Sequence, residues 1–197
     1  MLSVVIPTRN SERALVCTLA TLVSASVAGV VRDVVVADAG SSDETGEIAD
    51  IAGCTLLVSG APLATRLREA VAATRGSWLL FLRAGTVLES GWGEEALRFT
   101  TDAERRGRVE AAAVFRAQPL AQAGRSFAAQ TLALFREALR RTPAAEQGLM
   151  ISREFYDSIG GHRLEAGDPE ADLLRRVGSG RLVRLRSAIM PFDEADL

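Results

Sequence analysis

Lysine is absent from this 197-residue sequence, and all 23 of its basic side chains belong to arginine. Chemistry that needs a lysine amine, such as a Schiff base or the phosphate-binding lysine of a P-loop, is therefore excluded. Two cysteines, Cys17 and Cys54, are too few for a disulfide framework, and we expect small buried thiols rather than a disulfide or a metal pair. His162 is the only histidine, which excludes a metal site built from histidines.

An excess of charge of either sign is also lacking. The formal net charge is −2, which argues against a general nucleic-acid-binding protein. No apolar run is long enough to cross a bilayer, so we expect no transmembrane segment. The first apolar stretch, Leu2–Ile6, is short and has no basic leader, which favours a first strand over a signal peptide. The expected protein is soluble and cytoplasmic, with one domain over residues 1–197.

The most informative stretch runs from Val34 to Thr45. Three valines and an alanine form a short apolar run, typical of a strand that is buried on both faces. The run ends at Asp38, and the small residues of a turn follow before a helix that Ser42 or Asp43 can cap. An acid at the carboxyl end of such a strand lies where open α/β sheets hold nucleotides. Asp38 then either accepts hydrogen bonds from a base or ribose, or satisfies the amides of its own turn.

Predicted strands and helices alternate along the first half of the chain. The strands are predicted at 2–7, 31–37, 55–59 and 78–82, and the helices at 12–25, 43–52 and 62–76. This alternation predicts a parallel sheet covered by helices. The second half is less regular, with helices predicted at 92–106, 124–141, 154–159 and 172–177 and strands at 111–116, 148–151 and 182–185.

Several motifs follow one another in a recognisable order. The segment from Val4 to Glu12 is an apolar strand that ends in Pro-Thr, with Asn and Glu close behind, and the segment 38–45 reads Asp-Ala-Gly-Ser-Ser-Asp-Glu-Thr. Both resemble motifs of the family 2 glycosyltransferases of the GT-A fold, the second with Asp38 at the first acid of Asp-Asp-Gly-Ser-Thr-Asp-Gly-Thr. The segments 66–82 and 146–161 resemble later parts of the same family, and the length resembles its small soluble bacterial members.

The resemblance implies an α/β fold of three layers, α/β/α, with a mostly parallel central sheet. Residues 1–90 would form the nucleotide-binding half and residues 91–197 the acceptor-side half. The implied reaction is transfer of a sugar, with inversion, from a nucleotide-diphosphate-sugar donor (a UDP-sugar above all) to a hydroxyl of an unknown acceptor. The resemblance, together with the charge of the arginines, gives these nucleotide-binding candidates: Pro7, Thr8, Asn10, Asp38, Arg66 and Arg83. The oligomeric state is open, with a homodimer as one option.

The first departure from the family concerns its metal motif. The Asp-x-Asp that holds Mg²⁺ or Mn²⁺ against the diphosphate should follow the strand at 78–82, but the sequence there is Arg83-Ala84-Gly85. Hard cations need oxygen ligands, so no metal is expected in the usual way. Arg83 either supplies the positive charge for the diphosphate itself or is a solvated or salt-bridged arginine. If the site has lost its chemistry, the protein is a non-catalytic nucleotide-sugar-binding or partner protein.

The second departure concerns the general base, which in the resembled family is the Asp of a Glu-Asp pair ahead of an arginine-rich helix. Counting back from Leu173, Pro169 takes the place of the first acid and Glu170 that of the base. Asp168 replaces Glu170 as the base if the register shifts by two. Acids at this place are also typical of a helix N-terminus. His162 falls where the family usually has an aromatic residue, and we expect a packed ring. Arg175 and Arg176 are expected to form a solvated face.

Overall fold

A computed structural model describes residues 1–108, 110–118 and 147–192. The strands are β1 (Leu2–Thr8), β2 (Val31–Asp38), β3 (Thr55–Val58), β4 (Trp78–Phe81), β5 (Thr86–Leu88), β6 (Ala112–Ala117), β7 (Leu149–Ser152) and β8 (Leu182–Pro191). The helices are α1 (Glu12–Val27), α2 (Thr45–Ile51), α3 (Leu63–Ala73), α4 (Trp92–Arg105), α5 (Arg153–Ser158) and α6 (Pro169–Val177). The helix predicted at 124–141 lies outside the described residues.

The strands form one eight-stranded sheet in the order β3-β2-β1-β4-β7-β6-β8-β5. The four strands of the alternating first half are parallel to one another, as their pattern predicts. β7 joins β4 and β6 in antiparallel fashion, whereas β8 runs parallel to β6 and antiparallel to β5. The prediction of an α/β fold with a mostly parallel sheet is confirmed.

Hydrophobic side chains fill both faces of the sheet because the strands of its centre are apolar at successive positions. On β1, Val4 and Ile6 point to one core, which α1 and α4 complete, and Val5 points to the other, which α3, α5 and α6 complete. All three β1 side chains are fully buried. Helices on both sides of one sheet make the three-layer sandwich that the family resemblance implies.

The sequence prediction misses β5 and ends β8 at 185, whereas the strand continues to Pro191. β5 has three residues, too few for a periodic pattern to be recognised. In β8 the polar residues Arg186 and Ser187 interrupt the apolar pattern. Their backbone amides donate to the carboxylate of Glu95 on α4, at 2.9 and 2.8 Å. A side chain from a distant helix therefore supports this part of the strand.

The tryptophans and cysteines are structural. Trp92 is 2% exposed and donates from Nε1 to the Thr21 carbonyl, so it packs in the core at the start of α4. Cys17 and Cys54 are free and half-buried. Burial raises the pKa of the Cys54 thiol to about 11, which keeps it protonated. Within the described residues, no helix is both long and apolar enough to cross a membrane.

Candidate functional site

The candidate site lies at the carboxyl ends of the central parallel strands. The chain moves outward from β1 to β2 and β3 and then returns to the other side of β1 with β4, so the strand order switches direction between β1 and β4. Such a switch point is where open α/β sheets bind ligands. Thr8 at the end of β1 lies beside Asp38 at the end of β2, and Arg83 follows β4 by two residues. One edge thus carries several of the predicted site residues.

Asp38 is 3% exposed and organises the turn that follows β2. Its Oδ2 accepts from the amides of Gly40 and Ser41 at 2.8 and 2.7 Å, and its Oδ1 accepts from the hydroxyls of Thr8 and Ser41. Burial raises the pKa of this carboxyl, but the hydrogen bonds outweigh burial and leave the pKa below its usual range. Four hydrogen bonds fill the acceptor sites of a carboxylate. The Asp38 carboxylate therefore serves as the acceptor for the donors of the turn that follows it.

Asn10 fastens the loop after β1 to the loop after β2. Its backbone lies in the left-handed region, with φ of 49°, which asparagine tolerates better than most residues. The side-chain Oδ1 of Asn10 accepts from the backbone N–H of Ser42 at 2.9 Å, and the backbone N–H of Asn10 donates to the Ser41 hydroxyl at 2.8 Å. Pro7, half-buried in β1 opposite Ala37, completes this edge. Thr8, Asn10 and Asp38 therefore form one hydrogen-bonded unit.

Arg66 brings positive charge to the same unit. From α3 its guanidinium donates to the carbonyl of Ala37, directly before Asp38, and to the carbonyl of Ala61 at 3.2 Å. Burial and the neighbouring Arg9 lower the pKa of Arg66, while Asp38 opposes the effect. The group stays cationic because the ordinary arginine pKa is far above neutrality. Two guanidinium groups thus adjoin the Asp38 turn, a favourable setting for a phosphate.

Arg83 and Glu170 meet at the other side of the switch point. The guanidinium donates from Nε and Nη2 to one carboxylate oxygen, Oε2, at 3.1 and 2.5 Å. The Arg83 side chain is 41% exposed, whereas that of Glu170 is 12% exposed. The two residues that replace the metal motif and the base of the resembled family are therefore partners, and the salt-bridged alternative for Arg83 describes its geometry.

Asp168 and Glu170 have different places on α6. Asp168 is the N-cap, and its Oδ1 accepts from the Ala171 amide at 2.9 Å. The cap and Pro169 at the first helical position start the helix at 169 rather than at the predicted 172. Only Glu170 of the two predicted base candidates is bonded to Arg83.

Arg176 does not form the solvated face that the sequence predicts. Its side chain is 14% exposed and pairs with Asp172 at 2.8 Å, and it also donates to the carbonyls of Ile159 and Gly161. Arg175 is 67% exposed, as expected. Arg176 therefore anchors the Gly160-Gly161 turn to α6.

His162, directly after that turn, is a buried ring that the sequence predicts only as packing. It is 1% exposed, and its Nδ1 lies 2.9 Å from the Tyr156 hydroxyl. Burial, with a smaller effect of Arg176 and Arg68, lowers its pKa to about 4. The ring lines a small cavity together with Glu170 and four apolar side chains: Phe81, Leu149, Leu173 and Leu174. In the sequence, the position of His162 beside Glu170 is indicated only by a single histidine that follows two glycines.

The side chains at the metal-motif position do not fit a divalent cation. Arg83 is itself cationic, Ala84 and Gly85 offer no carboxylate, and among the described residues the carboxylate bonded to Arg83 is that of Glu170. The described residues contain no group of three or more histidine, cysteine, aspartate or glutamate side chains placed to hold a metal ion. A guanidinium at this position is instead suited to a phosphate, which it can bind through two parallel N–H donors.

A family model described as "Glycosyl transferase family 2" matches residues 3–108, more than half of the chain. Among curated protein sequences there is no significant match. Solved structures with a similar fold include S. aureus TarS (residues 1–349), with a TM-score of 0.69 at 16% identity over 97% of this chain and 60% of that chain. Glucosyl-3-phosphoglycerate synthase from Mycobacterium tuberculosis, with Mn²⁺, UDP and glucosyl-3-phosphoglycerate, has a TM-score of 0.63 at 19% identity over 98% and 72%.

A mannosyltransferase from Pyrobaculum calidifontis, PcManGT, in complex with GDP-Man and Mn²⁺, has a TM-score of 0.69 at 14% identity. The match covers 96% of this chain and 56% of the mannosyltransferase chain. The chain therefore spans less than two thirds of TarS 1–349 and of the mannosyltransferase. At identities this low, the structural likeness establishes a shared fold.

Proposed function

Because the chain belongs to glycosyl transferase family 2, as its motifs predict, we propose that it transfers a sugar from a nucleotide-diphosphate-sugar donor to an acceptor hydroxyl, with inversion and without a divalent cation. The observation that carries this proposal is the ion pair between Arg83 and Glu170. It holds a cation and a carboxylate beside the switch point between β1 and β4, where a donor diphosphate and an acceptor hydroxyl would meet.

The nucleotide would lie over the unit formed by Thr8, Asn10 and Asp38. Because the Asp38 oxygens already accept four hydrogen bonds, we infer that this residue maintains the conformation of the loop. The exposed backbone groups of the loop would then contact the base. Arg66 and Arg9 would supply positive charge at this end of the site. A UDP-sugar is the proposed donor, and similar folds have been solved with UDP and with GDP-Man.

Arg83 would hold the diphosphate in place of a metal. A guanidinium has five N–H donors in a plane, enough for one cation to contact a carboxylate and a phosphate at once. Its charge would stabilise the negative charge that grows on the leaving diphosphate as the bond to the sugar breaks. Stabilising charge in the transition state is the effect by which such a group accelerates transfer.

Glu170 would act as the general base. Its Oε2 is bonded to Arg83, and its Oε1 makes no hydrogen bond with a described residue. In the proposed step, the carboxylate takes the proton of the acceptor hydroxyl. The acceptor oxygen forms a bond to the anomeric carbon from the face opposite the diphosphate, and the bonding electrons leave with the nucleoside diphosphate. Attack from the opposite face inverts the configuration.

The test is turnover of UDP-glucose, and then of other UDP- and GDP-sugars, in the presence of EDTA. Glu170→Gln should abolish transfer and leave UDP binding intact, because the amide cannot take the proton. Asp168→Asn is the matched control, since asparagine also caps helices and the substitution should leave the rate nearly unchanged. Turnover that requires added Mn²⁺, or that survives Glu170→Gln, would overturn the assigned roles.

A second candidate function is a non-catalytic nucleotide-sugar-binding or partner protein. The ion pair favours it as well, because two groups that neutralise each other could be a structural bond left after the metal site was lost. This candidate predicts metal-independent donor binding with no turnover for any donor and acceptor. The cytoplasmic location and the homodimer stay predictions. Light scattering after gel filtration measures the oligomeric state.

A further inference from the structure

The cavity beside Glu170 has a second polar wall that the proposed reaction does not yet use. Four of its lining side chains are hydrocarbon, and the other two are Glu170 and His162. The His162 ring is held firmly, with its edge against Phe81 at 4.9 Å between centroids and its Nδ1 against the Tyr156 hydroxyl. The cavity is small enough that about one water-sized group can enter.

The hydrogen bonds around Tyr156 favour one of the two neutral tautomers of the His162 ring. The Tyr156 oxygen accepts from the backbone N–H of His162 at 3.1 Å, which leaves the Tyr156 hydrogen to be donated to Nδ1, 2.9 Å away. A neutral imidazole whose Nδ1 accepts must carry its hydrogen on Nε2. Nε2 makes no hydrogen bond with a described residue, although the ring is 1% exposed. Nε2 is therefore available to donate to an oxygen of a ligand that enters the cavity.

We propose that His162 is an acceptor-binding residue: its Nε2–H donates to an oxygen of the acceptor alcohol in the cavity that it shares with Glu170. This inference rests on the proposed function, in which Glu170 removes the proton of that alcohol. A buried donor on one wall and a carboxylate on another would hold an alcohol by both its oxygen and its hydrogen. Where the resembled family usually has an aromatic residue, this chain has a hydrogen-bond donor.

The same geometry defines the class of acceptor group that fits. His162 is neutral near pH 7, because burial lowers its pKa to about 4, and Glu170 is bonded to Arg83 through Oε2. A carboxylate or phosphate in this cavity would be repelled by the negative charge of Glu170, and the neutral His162 ring would offer no positive charge to compensate. The cavity therefore selects an uncharged hydroxyl group, which has about the size of the one water-sized group that it admits.

Since His162 is the only histidine, labelling the full chain with ¹⁵N-histidine gives one pair of ring nitrogens. A long-range ¹H–¹⁵N spectrum should show the Nε2–H form. Titration with propane-1,3-diol in the presence of UDP should then shift the Nε2 resonance along a saturable curve. The dimethyl ether of the same diol, which accepts a hydrogen bond but donates none to Glu170, should bind at least 10-fold more weakly.

An Nδ1–H form, the absence of a saturable shift with the diol, or an equal response to the ether would each overturn the inference. His162→Gln, which keeps an N–H donor, and His162→Phe, which has none, add a second measurement. If a donor and an alcohol acceptor react, the Phe variant should raise the acceptor KM at least 10-fold above that of the Gln variant, with donor KM unchanged. Calorimetric binding of UDP in the same sample, together with turnover, separately tests the proposed function.

Discussion

Arg83 and Glu170 are 87 positions apart in sequence and share one carboxylate oxygen between two guanidinium N–H groups. The bond joins the end of β4 to the first turn of α6, and so connects the two halves of the chain at the candidate site. Because the two side chains are in direct contact, we expect the effects of changing both to differ from the sum of the two single changes.

Replacing Arg83 tests whether a guanidinium holds the diphosphate. Arg83→Ala should weaken UDP binding roughly 10- to 100-fold, because a charge-assisted hydrogen bond to phosphate contributes about 1.5 to 3 kcal/mol. Titration calorimetry in EDTA measures this change. Arg175→Ala removes an exposed arginine from the same helix as Glu170 and should have no effect. Unchanged binding in Arg83→Ala would contradict the phosphate role.

Asp38 should matter for stability more than for direct contact with the nucleotide. Asp38→Ala leaves the amides of Gly40 and Ser41 without their acceptor, and should lower the free energy of unfolding by roughly 2 to 4 kcal/mol. Asp38→Asn keeps an oxygen for these amides and should cost about 1 kcal/mol. Urea unfolding followed by circular dichroism gives both values. A stable Asn variant that no longer binds UDP would instead show that Asp38 contacts the base or ribose.

The two neighbouring arginines of α6 form a matched pair. Arg176→Met removes the donors of the Ile159 and Gly161 carbonyls and the closest cation to Asp172, and should destabilise by about 2 to 3 kcal/mol. Arg175→Ala removes an exposed cation from the same carboxylate and should cost under about 0.5 kcal/mol. Equal effects in chemical denaturation would show that burial of Arg176 contributes nothing.

His162 should make stability depend on pH in a defined window. Its pKa in the folded protein is about 4, below the ordinary value of 6.5, so the unfolded chain binds more protons between these pH values. Stability from this group is therefore complete above pH 6.5 and is lost as the pH falls towards 4. The loss should reach roughly 3 kcal/mol at most, at 1.36 kcal/mol for each pKa unit.

The matched control for this pH effect is His162→Gln. Asp38, Asp172 and Glu95 also have lowered pKa values, from ordinary values of 3.8 and 4.5, so their contributions disappear at lower pH. Between pH 5 and 6.5 the slope of unfolding free energy against pH should therefore be present in the natural sequence and largely absent in the glutamine variant. Parallel slopes in urea titrations would assign the effect to other groups.

Local patterns in the sequence were sufficient to predict the parallel half of the sheet and the place of Asp38. Apolar runs, glycines after helices and a carboxylate at a strand end are short-range signals. The left-handed backbone of Asn10 and the tie from Glu95 to β8 depend on groups from other elements, and no local pattern indicates them. β5, with three residues, is below the length at which periodicity is informative.

The candidate site was predictable in its members but not in their contacts. Family motifs indicated Arg83 and Glu170 separately, each by its place in the order of elements. Their bond depends on tertiary packing, in which Leu173 and Leu174 of α6 line the same cavity as Phe81 at the end of β4. The partnership of His162 with Tyr156 has a local cause, six residues of sequence across the Gly160-Gly161 turn, but the cavity it lines depends on the same tertiary arrangement.

The position of β7 also determines whether the part of the chain up to residue 108 can fold without the rest. The family model matches residues 3–108, which include β4 but not the strand that pairs with its outer side. A fragment cut at that boundary would present the backbone N–H and C=O groups of Trp78–Phe81 to solvent as an open, apolar edge. Such an edge is a template for pairing with further copies, and the fragment would aggregate. We therefore expect the unit that folds to include residues 149–152, which pair with β4.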